Sequence, residues 1–259
     1  MNRFLPKDKA ADLLRIIMDS PVRTAYDTDR HRLALLDEAG NEAVYFRLPI
    51  TLPHTGIAKA KPVNYVILLI QSGNCALGYF ENGKCLDHKV YRSYMVRKKQ
   101  GKSQIKYLKT KGKSRAGSRV RLGETVEFFE NINGRLQEYF EGHEVDRIAI
   151  SCSKTLVPYL YNSKVATPFD KNDPRLYKIP RHIHTPIYEV LLEANRFLQR
   201  GELIYEETKQ GMVEGLLSAA GISDFLPDAV HDSQDEADWE IDEHGYVEDD
   251  DDDEITEWD

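Results

Sequence analysis

The spacing of apolar residues changes several times along the first third of the chain. Residues Lys7 to Asp19 place Leu13, Leu14, Ile17 and Met18 at helical intervals, which predicts an amphipathic helix. The segments around Arg32 to Leu36 and Ala43 to Leu48 read as strands on either side of a Glu38-Ala39-Gly40-Asn41 turn. A connection punctuated by Pro and Gly, Pro49 to Pro62, leads to Asn64 to Gln71, which is apolar at consecutive positions, as a strand covered on both faces requires. Cys75 to Phe80 and Cys85 to Tyr94 follow around Asn82-Gly83, a dipeptide that tolerates the positive φ angles of a type I′ hairpin. Three antiparallel strands are therefore expected here.

The second half returns to helical periodicity. Ser118 is placed to cap a helix running to about Phe140, with Val126, Phe129, Ile132, Leu136 and Tyr139 as its apolar stripe. A buried strand at Val145 to Ser151, a short helix at Lys154 to Tyr161 and an extended stretch at Leu176 to Ile179 come next. A helix from Thr185 to Gln199 opened by Pro186, and a last strand around Leu203 to Tyr205, complete the series. The order β-β-β-α-β-α-α-β implies an α+β or α/β unit, a mixed sheet flanked by helices as in ribonuclease H-like folds. The expected organisation is a small N-terminal α+β unit with its connection (1–61), a main unit (62–207), a C-terminal helix (208–226) and a disordered acidic tail (227–259).

Charge changes this picture, because it is segregated. The chain has 259 residues and a formal net charge of -8, yet 18 of its 43 acidic residues lie between Asp224 and Asp259, where there is no Lys or Arg. The remainder carries 35 basic against 25 acidic residues, a net of +10. Lys89 to Arg121 alone holds 13 Lys or Arg and no acid, an electrostatic footprint for a polyanion. Cys75, Cys85 and Cys152 show neither CxxC nor Cys/His spacing, so neither a disulfide framework nor a structural zinc site is expected. The longest aliphatic run, Val66 to Ile70, is far too short to span a bilayer, and the amino terminus lacks an apolar signal core. A cytoplasmic protein with no membrane partner follows as the expectation.

The chemistry concentrates between the third strand and the long helix. More than twenty connecting residues inside a compact unit are unusual, and such connections are more often functional than accidental. Their like charges repel one another, so the composition makes sense only with an anionic partner, of which an RNA backbone is the natural candidate. The run Tyr94-Met95-Val96-Arg97-Lys98-Lys99-Gln100-Gly101-Lys102-Ser103-Gln104, with Ala116-Gly117-Ser118 and Arg121 downstream, resembles the VLRF (Vms-like release factor) family. That family is similar to the middle domain of eukaryotic and archaeal release factors, whose Gly-Gly-Gln loop enters the peptidyl-transferase centre. The resemblance covers roughly Asn64 to Tyr205. It implies that Gln104 is the catalytic residue, on a catalytic loop with Gly101, Lys102 and Ser103. It also implies action in ribosome rescue on the large ribosomal subunit, its rRNA and peptidyl-tRNA, with cleavage inside the tRNA 3′ CCA end. The RNA-binding candidates are Arg97, Lys98, Lys99, Lys106, Lys109, Lys111, Lys113, Arg115, Ser118, Arg119 and Arg121. Lys102 and Ser103 stand where release factors carry two glycines, so this loop is less permissive of positive φ.

A carboxamide does not titrate near neutrality, so Gln104 cannot act as a strong general base. It can orient water or a ribose hydroxyl and hydrogen-bond developing charge. An ester route would place a water at the peptidyl ester; a phosphodiester route would align a CCA ribose 2′-OH on the adjoining phosphate, with nearby Lys or Arg stabilising the transition state. Neither needs a metal or cofactor. A metal nuclease is disfavoured because Asn64 to Gln71 contains no carboxylate. His182 and His184, flanking Ile183, read as surface histidines rather than ligands. A non-catalytic ribosome-binding protein is the remaining alternative. The acidic tail is expected to mimic nucleic acid and shield the basic loop. Deleting Asp228 to Asp259 should therefore change RNA affinity or selectivity in a titration, and an unchanged titration refutes the shielding role.

Overall fold

The computed structural model describes residues 1–53, 62–93 and 114–222, with side chains from 123 onward in the last segment. In chain order these form β1 (Asn2–Leu5), α1 (Lys7–Asp19), β2 (Thr24–Asp27), β3 (Arg32–Leu36), β4 (Glu42–Arg47), β5 (Asn64–Gln71), β6 (Asn74–Glu81) and β7 (Lys84–Arg92). Then come α2 (Ser114–Gly142), β8 (Arg147–Cys152), α3 (Val157–Tyr161), β9 (Leu176–Lys178), α4 (Tyr188–Leu198), β10 (Gly201–Tyr205) and α5 (Gln210–Ala219). The strands make two five-stranded sheets, ordered β1-β10-β4-β3-β2 and β7-β6-β5-β8-β9. The architecture is mixed α+β.

Alternation along β5 determines the layers of the second sheet. Side chains at successive strand positions point to opposite faces. Val66, Leu68 and Ile70 enter one core with Phe129, Ile132 and Leu136 of α2. Tyr65, Ile67 and Leu69 enter another with Leu191, Ala194 and Leu198 of α4. All six β5 side chains are fully buried, each contributing about 1.5–3 kcal/mol relative to exposure for a residue of Leu or Ile size. The continuous apolar run of β5 thus reflects its place at the centre of a three-layer stack. At the β6–β7 turn Asn82 (φ 45) and Gly83 (φ 94) are both left-handed, as the type I′ expectation required. Gly83 has a second role: its carbonyl accepts from Asn195 Nδ2 at 2.9 Å, which anchors the hairpin to α4.

The first sheet is antiparallel throughout and buries one face under α1 and α5, joining Leu13, Leu14 and Ile17 to Phe46, Leu203, Val213 and Leu217. One expectation fails here. The strand at Leu203 to Tyr205 was expected to finish the main sheet; instead β10 pairs with β1 and β4, and the fifth place in the main sheet goes to β9. Pairing partners separated by some two hundred residues leave no local periodicity to read. Close helix packing secures β10: a Cβ on Gly201 would fall 2.7 Å from Ala10 Cβ, so only glycine lets α1 approach this closely. The short edge strands β1 and β2 were also missed, since four residues carry too little alternation to stand out.

The two sheets meet at a buried polar cluster. His31, 1% exposed, has Nδ1 2.6 Å from the Tyr26 hydroxyl and Nε2 3.2 Å from the Pro49 carbonyl, while Arg147 of β8 lies against its ring and donates to the Leu52 carbonyl at 2.9 Å. These contacts fit the neutral tautomer with hydrogen on Nε2. Burial, followed by the Arg147 charge, holds the imidazole well below its usual pKa. The unfolded chain therefore takes up a proton, as pH falls through about 6.5, that the folded chain refuses, so stability is lost on acidification. His31→Asn removes that titration while tolerating the positive φ of 47 at this position. Between pH 6.5 and 5 wild type should lose on the order of 1–2 kcal/mol more than this variant in urea unfolding. Coincident slopes would refute the linkage.

Candidate nucleic-acid interface

Strand direction collects the chain's carboxyl strand ends on one edge. β5 is parallel to β8, and β8 to β9, while β6 is antiparallel to both β5 and β7, so β5, β7, β8 and β9 all run the same way. Their last residues, Gln71, Arg92, Cys152 and Lys178, share the edge where ligands of open α/β sheets bind. The basic connection leaves from this edge. The Ser93 backbone N–H donates to the Gly73 carbonyl at 2.8 Å, and its hydroxyl donates to the Glu124 carbonyl of α2 at 3.3 Å. From Glu124, α2 runs down the sheet to the opposite edge, where the Glu144 carbonyl accepts from the Tyr79 hydroxyl at 3.3 Å. The ten residue steps from Glu124 back to Ser114 carry the start of the helix about 15 Å beyond the Ser93 contact. Both ends of the connection therefore stand at the same edge.

At its root lies a groove of about 320 Å³ between β7 and α2, lined by Tyr91, Arg92, Ser93, Glu124, Glu127, Phe128 and Asn131. Arg135 of α2 braces this region, pairing with Asp87 of β7 and with Glu138, and lying 4.9 Å over the Tyr139 ring. Its guanidinium is held above its ordinary pKa, first by the Glu138 carboxylate. Buried Asn133 ties α2 to α3 and to the segment after it, donating to the Leu160 and Val165 carbonyls at 2.8 Å each. The helix that carries the second stem of the connection is thus fixed from two sides.

Arg97, Lys98, Lys99, Gly101, Lys102, Ser103, Gln104, Lys106, Lys109, Lys111 and Lys113 lie outside the described residues, as does the acidic tail. Arg115, Ser118, Arg119 and Arg121 all fall in the first turns of α2. One expectation changes: α2 begins at Ser114, so Ser118 sits inside the helix and is not its cap. The acid-free basic run continues into helical turns that precede the apolar stripe, and periodicity could not place their start. His182 and His184 are exposed neighbours with ring centroids 4.4 Å apart, and no group of three metal-ligating side chains occurs among the described residues. Burial raises all three cysteine thiols, Cys75 well above the usual range and Cys152 up to about 12, so none is disposed to act as a thiolate nucleophile. No helix among the described residues is long and apolar enough to cross a membrane.

Sequence reasoning missed the groove residues and the charged residues after β8. One signal was available: Ser153-Lys154-Thr155 follows directly on an apolar strand, the place where α/β sheets put binding groups.

The Bacteroidetes VLRF1 release factor family matches residues 65–206, more than half of the chain, and the chain belongs to that family. Among solved structures, the Vms1 mitochondrial localization core is similar at 13% identity with a TM-score of 0.36, over 56% of this chain; the chain spans 58% of that structure's length. No curated protein matches.

Proposed function

We propose that this protein is a cytoplasmic ribosome rescue and quality-control factor that cleaves peptidyl-tRNA on stalled large ribosomal subunits, within the 3′ CCA end, with Gln104 orienting the attacking hydroxyl. Membership of a release-factor family carries the reading, since its match spans the basic connection and both elements that hold it. In this reading 62–207 is the catalytic unit, a ribonuclease H-like release-factor middle domain whose last strand serves the first sheet. Residues 1–61, the helical 208–226 and the acidic 227–259 are accessory. Gly101, Lys102 and Ser103 shape the catalytic loop. The cations from Arg97 to Arg121 neutralise rRNA and tRNA phosphates, which makes association steeply salt-dependent.

The chemistry requires no metal. A ribose 2′-OH attacks the adjoining phosphorus while its proton passes to solvent water, the 5′-oxygen leaves and takes a proton from water, and a 2′,3′-cyclic phosphate remains on the shortened tRNA. Gln104 aligns the hydroxyl, and nearby Lys or Arg balances charge on the phosphoryl oxygens. The test is incubation of purified protein with large subunits bearing labelled peptidyl-tRNA, with peptide and tRNA ends resolved on gels. Release with a shortened tRNA is expected. Release with an intact CCA end would make the protein an ester hydrolase, and binding without release would leave a non-catalytic ribosome-binding protein.

A further inference from the structure

A second basic surface lies along the same sheet edge, separate in sequence from the loop. Gln71, the last residue of β5, donates from its amide to the Ile183 carbonyl at 2.7 Å, which brings His182 and His184, both exposed, to this edge. The parallel register pairs Ile70 with Cys152, so Ser153 and Lys154 emerge beside Gln71. The Ser153 and Thr155 hydroxyls are 3.1 Å apart at this corner. The next strand ends at Lys178, whose backbone N–H donates to the Asp29 carbonyl at 3.2 Å, bringing the β2–β3 turn and exposed Arg30 alongside. Burial, then the like charges of Arg30 and Lys154, lowers the Lys178 pKa. Cations that crowd one another in this way raise each other's energy, and a polyanion relieves it. Lys154 and the Arg30 side chain form no ion pair among the described residues. Asp27, on the same turn, is committed to Arg32 at 2.9 Å, and Asp29 remains as the acidic neighbour of Arg30.

We infer that this edge, from His182 and His184 through Lys154 and Lys178 to Arg30, is a phosphate-binding track for the acceptor stem of the tRNA whose 3′ end the loop engages. The inference rests on the proposed function, and the track lies at the loop's point of departure: Ser93, the last described residue before it, bonds through its N–H to the Gly73 carbonyl, two residues along from Gln71. The loop takes the single-stranded end, and the strand ends grip the backbone behind it. The contacts are to phosphates, so the track fixes register and carries no base preference.

The full chain would be titrated against a fluorescent acceptor-stem hairpin ending in CCA, across a salt series. Arg30→Ala/Lys154→Ala/Lys178→Ala is expected to bind at least about tenfold more weakly, with its log affinity against log salt shallower by about 2–3. Lys154→Glu alone should weaken binding more than Lys84→Glu, which makes the same charge change on exposed Lys84 at the opposite end of β7. Thermal midpoints recorded alongside separate this from misfolding. If the edge variants bind like wild type while Lys98→Ala/Lys99→Ala/Lys102→Ala loses affinity, the track is wrong and the proposed function stands. If wild type does not bind the hairpin at all, both fail. If polyglutamate of equal charge competes as well as RNA, the edge is a site for acidic peptide and the inference fails.

Discussion

Gln104→Ala is expected to slow cleavage of peptidyl-tRNA by about 10²–10³-fold while leaving affinity for the large subunit unchanged. The magnitude is that of losing the alignment of the attacking hydroxyl, where a misplacement of about 1 Å costs on the order of 10²-fold or more, roughly 2.7–4 kcal/mol of barrier. The separation from binding follows from charge: under the proposed function rRNA affinity comes from phosphate neutralisation, to which a carboxamide contributes none. Gln104 also has no proton to lose near neutrality, so the pH dependence of the wild-type rate must come from the substrate or from other groups. Single-turnover cleavage gels and ribosome pelleting, done on one preparation, read the two quantities independently. A variant that cleaves within a few-fold of wild type removes Gln104 from the mechanism; one that no longer pellets with ribosomes would make it a binding residue.

The second large effect concerns stability. Glu202→Ala should destabilise the folded chain by about 3–5 kcal/mol, because it leaves a buried guanidinium without its counter-charge. Arg47 of β4 and Glu202 of β10 meet at 2.8 Å with side chains 3% and 7% exposed, and Asn2 Nδ2 donates to the other carboxylate oxygen at 3.1 Å. Arg47 also lies 4.2 Å over the Phe197 ring, and among the described residues its Nη2 is already buried without a hydrogen bond. At about 2–4 °C per kcal/mol for a chain of this size, the melting midpoint should fall by roughly 6–20 °C. Removing both charges, as Arg47→Met/Glu202→Leu, should recover most of the loss, since the penalty lies in the unpaired ion rather than in the missing pair. A single-variant loss below about 1 kcal/mol, measured by urea unfolding, would show that water reaches Arg47 and that the pair is not a buried lock between β4 and β10.

The two experiments test separate parts of the molecule. Glu202 holds β10 to the first sheet, whereas Gln104 belongs to the connection that leaves the second. Loss of cleavage with an unshifted midpoint therefore speaks to chemistry, and a shifted midpoint with normal cleavage at low temperature speaks to assembly.

The sequence by itself determined whatever depends on near neighbours. The helix at Lys7–Asp19, the strands at Arg32–Leu36 and Asn64–Gln71, and the Asn82-Gly83 turn were all legible, because period, apolar runs and positive-φ residues are properties of a few consecutive positions. The basic connection stands out by composition, while its Gly101-Lys102-Ser103-Gln104 centre lies outside the described residues and rests on the family resemblance. Tertiary structure alone decided which sheet took β10, because a five-residue strand pairs equally well with any complementary edge until Gly201 meets Ala10 and Glu202 meets Arg47. It alone placed Ser118 inside α2, and it alone brought Arg30, Lys154 and Lys178 together from three distant segments. Charges far apart along the chain become a site only when parallel strands end on one edge, and that condition is set by long-range pairing, to which local periodicity is blind.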